Sequence, residues 1–459
     1  MSRAITRRHL LSLAVASLLV TPTASATSLM QAHEAAMQND PQFQVDFYGK
    51  LATDERYDQA RAALLPQISA NASYTDTSQS IVSTDNEVFD SGSTSFPTTV
   101  YGISLEQSVY DYSRWAAFRQ ADTETQQAAS ELEVARQDLV LRVAERYFDA
   151  LALYENLTFL QAEKEEVATN LTEARARYED GLSREVDLLD AESRLLQVES
   201  RELEVENSLR DALNGLEEVT GSLPDRLKPV RDDLNLERPD PDDQDEWTRL
   251  GLERNPRLQA AELAMEVANQ EVRVRRGGHL PTLGLTVSYE NDDTEGSLFG
   301  GGSQVETQIA RLDLNIPIYS GGMVSSQVRE GEQLIEVSRS RHDQVRRQLN
   351  REVRAGYQGI LTAMSRERAL SESLRTSQRI VESRQVGYES GVTPLLDLLD
   401  AERELFFARS ELAGARYDYL LGVLRLRHAA GVINADDLQQ IDALLDEPVD
   451  VFASQLSSF

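Results

Sequence analysis

The sequence of 459 residues contains no cysteine. This absence excludes disulfide bonds, thiolate nucleophiles and metal sites built on sulfur. It also excludes a lipid anchor on a cysteine at the mature amino terminus. Histidine is scarce as well, with five residues, and no two of them have the spacing of a metal-binding pair. The nucleophile motif Gly-x-Ser-x-Gly is also missing. We therefore expect no enzymatic activity, no cofactor and no metal ion.

Long hydrophobic runs are missing too. After residue 26 no segment approaches the roughly 20 apolar residues that a transmembrane helix needs. The first 26 residues combine a basic start, a short apolar stretch over 10–20 and the small residues Ala24-Ser25-Ala26, which is typical of a cleaved secretion signal. An exported chain without a spanning helix is either soluble outside the inner membrane or crosses an outer membrane as a β-barrel.

Positive charge is in short supply. The chain has 46 basic and 77 acidic residues, a net charge of −31, and loss of the three leader arginines lowers it to −34. Such a chain is a poor partner for nucleic acid. The acidic excess fits either the solvated faces of long helices or the lining of a cation-selective passage, and both interpretations stay open.

The chain contains an internal duplication. The segment YEDG at 178–181, followed by DLLDAE at 187–192, recurs as YESG at 388–391 followed by DLLDAE at 397–402. A repeat this long predicts two copies of one structural unit around a pseudo-symmetry axis. We divide the chain into a signal peptide (1–26), a first copy (27–221), a linker (222–250), a second copy (251–431) and a partly disordered carboxyl-terminal segment (432–459).

Long helices dominate each copy. Residues 113–179 contain no proline or glycine, and their apolar side chains recur every three or four positions, which predicts a helix of about 100 Å. Residues 323–388 match them in the second copy. Breaks at Gly181 and Gly391 supply the left-handed position that ends a helix. Ser183 and Thr393 are predicted to cap the returning helices, so each copy holds a helical hairpin with its tip near 182 or 392.

Four segments alternate apolar and polar residues instead, at about 65–75, 100–110, 281–290 and 308–319. Period-two alternation over about ten residues is typical of transmembrane strands. The alternative is two ordinary hairpins packed on helices. Four strands cannot close a barrel, and an open edge cannot face lipid. Several chains must then share one barrel: two would supply eight strands and three would supply twelve, enough for a passage.

In these features the chain resembles the TolC-like outer membrane efflux proteins, especially the type I secretion branch. The resemblance covers the whole mature chain: the duplication, the helix–strand–strand–helix order and the spacing Tyr-x-x-Gly-x5-Asp at both tips. It implies a mainly α fold with a β-barrel portion. That fold is a trimeric channel-tunnel, in which a long α-helical barrel continues a 12-stranded transmembrane β-barrel and an irregular equatorial belt surrounds the helices.

The resemblance also implies a function and partners. The chain would be a homotrimer in the outer membrane lipid and would extend into the periplasm. It would serve as the exit duct of a tripartite export system, and a periplasmic adaptor would link it to an inner-membrane ABC or proton-driven pump. The cargo would be secreted proteins or small toxic compounds. The alternative function is a periplasmic coiled-coil scaffold or adaptor that never enters the membrane.

Carried over by position, the resemblance places a periplasmic gate and acidic ring at the tips. The implied gate and ring residues are Tyr178, Asp187, Asp190, Tyr388, Asp397 and Asp400. The implied adaptor contacts are Gly181, Leu182, Ser183, Gly391, Val392 and Thr393. Thr393 departs from relatives that carry a basic gate residue there, and Arg184 is a candidate substitute. The acids could equally serve as ordinary first-turn residues at a positive helix end, and the tyrosines as helix-end packing.

Overall fold

A computed structural model describes residues 27–83, 92–297 and 300–451. The predicted signal peptide at 1–26 and the last eight residues lie outside the described part, so the predictions for them stay predictions. Within it, no helix is both long and apolar enough to cross a membrane.

Two copies of one unit follow each other along the chain. The first comprises α1 (Leu29–Asn39), α2 (Pro41–Ala62), β1 (Gln67–Ser80), β2 (Ser93–Tyr110), α3 (Tyr112–Glu179) and α4 (Glu185–Thr220). After the short strand β3 (Arg226–Leu227), the second comprises α5 (Gln244–Arg254), α6 (Pro256–Gly277), β4 (Thr282–Thr294), β5 (Ser303–Asn315), α7 (Met323–Glu389) and α8 (Leu395–Ala429). The chain continues with α9 (Ala435–Asp442) and β6 (Val449–Asp450).

The second copy begins earlier than the sequence suggests. The boundary predicted between residues 250 and 251 falls inside α5, which is the counterpart of α1. Asp243 starts α5, because its carboxylate accepts hydrogen bonds from the backbone N–H groups of Asp245 and Glu246 at 2.8 and 3.4 Å. The acidic, proline-rich stretch before it hides this cap in the sequence.

The long helices match their predicted bounds to within one residue. α3 has 68 residues and α7 has 67, so each is about 100 Å long. Gly181 and Gly391 adopt φ values of 74° and 73°, the left-handed conformation predicted for them. The predicted caps Ser183 and Thr393 are wrong by one residue, since α4 is preceded by Arg184 and α8 by Pro394.

The four strands form one antiparallel sheet in the order β1-β2-β4-β5. Its register aligns apolar residues across all four strands, with Ile68 opposite Leu105, Leu105 opposite Val287 and Val287 opposite Ala310. The predicted last strand (308–319) is misplaced by several residues: β5 spans Ser303–Asn315 and ends two residues before Pro317, which has no N–H group to donate. β1 and β5 are exposed along nearly their whole length and leave two open edges.

A belt of irregular chain surrounds the middle of the helices, where the main hydrophobic core lies. Tyrosine hydroxyls fasten this belt. Tyr147, fully buried on α3, donates to the Thr27 carbonyl at 3.0 Å and accepts from the Lys228 N–H group at 2.8 Å. Its repeat counterpart Tyr357 donates to Asp242 at 2.7 Å. Equivalent residues of the two copies therefore hold different parts of the belt.

Candidate functional site

The two hairpin turns have the same backbone geometry. In the first, the Leu182 N–H group donates to the Arg177 carbonyl at 2.7 Å, and in the second the Val392 N–H group donates to the Gly387 carbonyl at 2.9 Å. These are the bonds of a glycine-terminated helix end. Leu182 and Val392 are strongly exposed at the two turns. The six predicted adaptor-contacting residues therefore lie at the hairpin ends, where each turn presents one apolar side chain to solvent.

A small apolar core joins the two hairpins just behind the turns. We call it the tip cluster. Its members are Val167, Ala174, Ala191, Val198, Tyr388, Leu395, Leu398 and Leu399. The cluster draws on α3 and α4 from the first copy and on the end of α7 and the start of α8 from the second. It therefore fixes one hairpin against the other within a single chain.

The two predicted gate tyrosines have different environments. Tyr388 lies in the tip cluster with 8% of its surface exposed, whereas its repeat counterpart Tyr178 is 40% exposed. The Arg177 guanidinium stacks over the Tyr388 ring, 4.5 Å from its centroid, which is a favourable cation–π geometry. Burial raises the pKa of Tyr388, so this phenol stays neutral at physiological pH. Tyr388 therefore connects the hairpins, and Tyr178 is left available for another contact.

Arginines accompany three of the four predicted ring acids. Asp397 on α8 pairs with Arg384 on α7 at 2.8 Å, and Asp400 lies 3.5 Å from Arg403. Asp187 accepts from the Arg184 guanidinium at 2.8 Å and from its backbone N–H group at 3.2 Å. Among the described residues, Asp190 alone of the four has no ion-pair partner. The tips therefore carry less net negative charge than the acids alone suggest.

These contacts show how Arg184 and Thr393 are used at the two tips. Arg184 pairs within its own hairpin, so in this structure it does not bridge to the second tip. Thr393 is half-buried, and its N–H group donates to the Gly387 carbonyl at 3.1 Å, which completes the turn. Arg384 supplies the salt bridge within the second hairpin instead. Arg177, Arg384 and Arg403 do not stand out in the sequence, because surface arginines are common on α3, α7 and α8.

A buried polar group lies beside the tip cluster. We call Glu163, Asn170, Arg194 and Glu402 the polar seam. The Asn170 amide donates to the Glu402 carboxylate at 2.8 Å, and Arg194 pairs with Glu163. All four side chains are buried, although three are of types that normally carry charge. One signal was present in the sequence, since Glu402 interrupts an apolar row on α8 at helical spacing. That row is Leu395, Leu399 and Phe406.

A row of leucines on α4 is left exposed by the part of the chain that the structure describes. We call Leu189, Leu196 and Leu203, spaced seven residues apart, the open seam. Leu196 and Leu203 are each 66% exposed, whereas their repeat counterparts on α8, Phe406 and Ala413, are 9% and 7% exposed. Residues that are buried in one copy are therefore exposed at the equivalent places in the other.

Known proteins share both the sequence and the fold. The sequence model of the family described as outer membrane efflux protein matches residues 33–222 and 247–432. The outer membrane protein TolC of Vibrio cholerae is 28% identical over 420 residues, covering 91% of this chain and 94% of that protein. The alkaline protease secretion protein AprF of Pseudomonas aeruginosa is 29% identical, with 93% and 89% covered. The outer membrane channel CmeC of Campylobacter jejuni superposes with a TM-score of 0.77 at 18% identity, with 91% and 90% covered.

Proposed function

Because the chain belongs to the outer membrane efflux protein family, we propose that it is the outer-membrane exit duct of a tripartite export system. It conducts cargo passively from an inner-membrane pump and a periplasmic adaptor to the outside. The observation that carries this proposal is the match to channel proteins along both copies of the repeat. A scaffold or adaptor confined to the periplasm fits the structure less well. The exposed apolar side chains of the four strands would then face water.

The open edges and the open seam support assembly of several copies. β5 of one chain can pair with β1 of the next chain. Three chains, each with a four-stranded sheet, then close a twelve-stranded barrel without edges. The threefold rotation that relates the chains also places the open seam of α4 against α7 of the neighbouring chain. α4 is strongly acidic and α7 is rich in arginine, so their charges are complementary. These surfaces, together with the family, support a homotrimer.

The tips support the proposal of a periplasmic mouth. In a trimer, each turn occurs three times around the mouth. The exposed Leu182 and Val392 are then two different apolar contact points for an adaptor. Tyr388 and Arg177 hold neighbouring hairpins together, so their separation accompanies opening. Asp187, Asp190, Asp397 and Asp400 would form acidic rings that attract cations, at a strength reduced by their arginine neighbours.

The names of the relatives are compatible with two classes of cargo, secreted proteins and small toxic compounds. AprF is named for protease secretion, and the efflux family is named for efflux. The absence of a lipid-accepting cysteine favours the secretion branch modestly. We propose no enzymatic step, because the relatives matched along the chain are channels and secretion proteins.

The first experiment is to record the purified mature protein in planar lipid bilayers and to measure its mass by light scattering in detergent. A trimer with stable, cation-selective openings is the expected result. A water-soluble monomer or dimer that does not conduct would contradict the proposal and return the scaffold to consideration.

A further inference from the structure

The polar seam lies where the two hairpins of one chain meet. Glu163 and Asn170 come from α3, Arg194 comes from α4, and Glu402 comes from α8. The seam is interleaved with the tip cluster: Asn170 lies between Val167 and Ala174 on α3, and Arg194 lies between Ala191 and Val198 on α4. A change in the polar seam therefore acts on the contact that holds the hairpins together.

Buried charge in the polar seam does not balance. Glu163 and Glu402 are 2% and 3% exposed, and Arg194 is the buried cation between them. Arg194 pairs directly with Glu163, and its Nε–H group has no hydrogen-bond partner. Glu402 receives one hydrogen bond, from the Asn170 amide. If both carboxyl groups were ionised, one negative charge would be buried without a directly bonded cation.

Charged groups on α3 and α4 act on Glu402. α3 adds Glu163 and Glu166, which repel a charge on Glu402, and α4 adds Arg194, which attracts it. Arg201 on α4 lies beyond, 3.5 Å from Glu163, and Arg403 follows Glu402 on α8 and acts on Arg194. Both of these arginines are about half-exposed, so solvent screens them.

The repeat supplies a natural comparison. Glu192, the counterpart of Glu402, is 40% exposed and pairs with Arg175 at 3.0 Å. The counterparts of Glu163 and Arg194 are Ser373 and Glu404. In the described part of the chain the buried arrangement therefore occurs at only one of the two equivalent places, the contact between the two hairpins of the same chain.

We propose that Glu402 is a proton-operated latch that holds the two hairpins of each chain together when protonated and loosens them when ionised. The latch rests on the proposed role of the tips as the mouth of the duct. A neutral carboxyl group beside Asn170 is compatible with the surrounding apolar cluster. An ionised one buries a charge that becomes hydrated when the hairpins separate, so ionisation favours the open mouth.

The direction and size of the effect follow from the protonation of the two states. Burial, reinforced by Glu166 and Glu163, raises the pKa of Glu402 from 4.5 to about 7. The closed state therefore holds its proton more tightly than a hydrated open state, and its advantage, complete below pH 4.5, is lost as the pH rises through 7. Between pH 5.5 and 8.5 the ratio of separated to joined hairpins in each chain should rise by about 30-fold, so a mouth with three latches should open by at least that factor.

Single-channel recording at these two pH values tests the latch. Wild-type openings should increase by about 30-fold or more. Glu402→Gln should reduce the change to less than threefold, and the matched control Glu192→Gln should keep the wild-type response. A full pH response in Glu402→Gln would overturn the latch, and so would conducting wild-type trimers that ignore pH. A wild-type protein that conducts at no pH would overturn the proposed function, and the latch with it.

A second variant tests the latch if Glu402→Gln does not assemble. The Asn170 amide favours ionised Glu402, because it donates to the carboxylate. Asn170→Ala should therefore shift the midpoint of the pH response upward. A structural role alone would change the number of functional channels without moving that midpoint, so an unchanged midpoint would contradict the latch.

Discussion

Truncation of the open seam should dissociate the proposed trimer without unfolding the helices. We consider the double substitution Leu196→Ala and Leu203→Ala. Each leucine is 66% exposed in one chain, and its repeat counterpart is less than 10% exposed. If the neighbouring chain buries the open seam to the same extent, each leucine loses more than half of its exposed surface on assembly.

That burial sets the expected size of the effect. Full burial of a leucine side chain is worth about 1.5–3 kcal/mol, so the two partial burials contribute about 2–4 kcal/mol per subunit interface. Because 1.4 kcal/mol is a factor of ten, loss of most of this energy should weaken association by about 30-fold or more at each interface. Alanine is a good helix former, so the helical circular dichroism signal should not change.

Light scattering of the purified protein in detergent, over a dilution series, measures the association. The double variant should fall apart into monomers at concentrations where the wild type remains a trimer. The control is Leu182→Ala, which truncates a strongly exposed leucine at the tip, away from the open seam. Equal dissociation of the wild type and the double variant would refute the argument that a neighbouring chain buries the open seam.

Three further perturbations address other parts of the molecule. Asp397→Ala with Asp400→Ala should lower the cation selectivity measured from reversal potentials in bilayers, and unchanged selectivity would reject the acidic ring. Val392→Arg should abolish export in cells while trimers persist, whereas the control Val82→Arg, at an equally exposed valine outside the strands and helices, should export normally. Tyr147→Phe leaves the Lys228 N–H group without its hydroxyl partner, so it should reduce stability by about 1–3 kcal/mol and lower the midpoint of thermal unfolding; an unchanged midpoint would show that the belt does not depend on this bond.

The features predicted correctly from the sequence are those with a short period. Helical spacing over 113–179 and strand alternation near 67–74 depend on neighbouring residues, and the duplication provided a second sample of each. The helix caps were less predictable. At α4 the carboxylate of Asp187 accepts from the Arg184 backbone, so a hydroxyl at Ser183 is not needed to start the helix.

The polar seam could not be predicted because its contacts are remote in sequence. Asn170 and Glu402 are 232 residues apart, and Arg194 reaches Glu163 across a helical hairpin. The phases of three helices must be known before these side chains can be placed together. Glu402 alone, in an otherwise apolar row, marks the position locally, and a single acid on a long acidic helix is easily taken for a solvated one.

The contrast between the open seam on the outer side of each chain and the polar seam inside it indicates where the mouth opens. In a closed ring, each hairpin has one neighbour in its own chain and one in the next. In the proposed trimer the contact between chains is built on the leucines of the open seam, whose separation would expose apolar surface to water. The contact within each chain also includes the apolar tip cluster, but the stacked Arg177 and Tyr388 and the latch at Glu402 add groups that water can solvate on separation. We therefore expect opening to separate the hairpins within each chain, while the leucine seams keep neighbouring chains together.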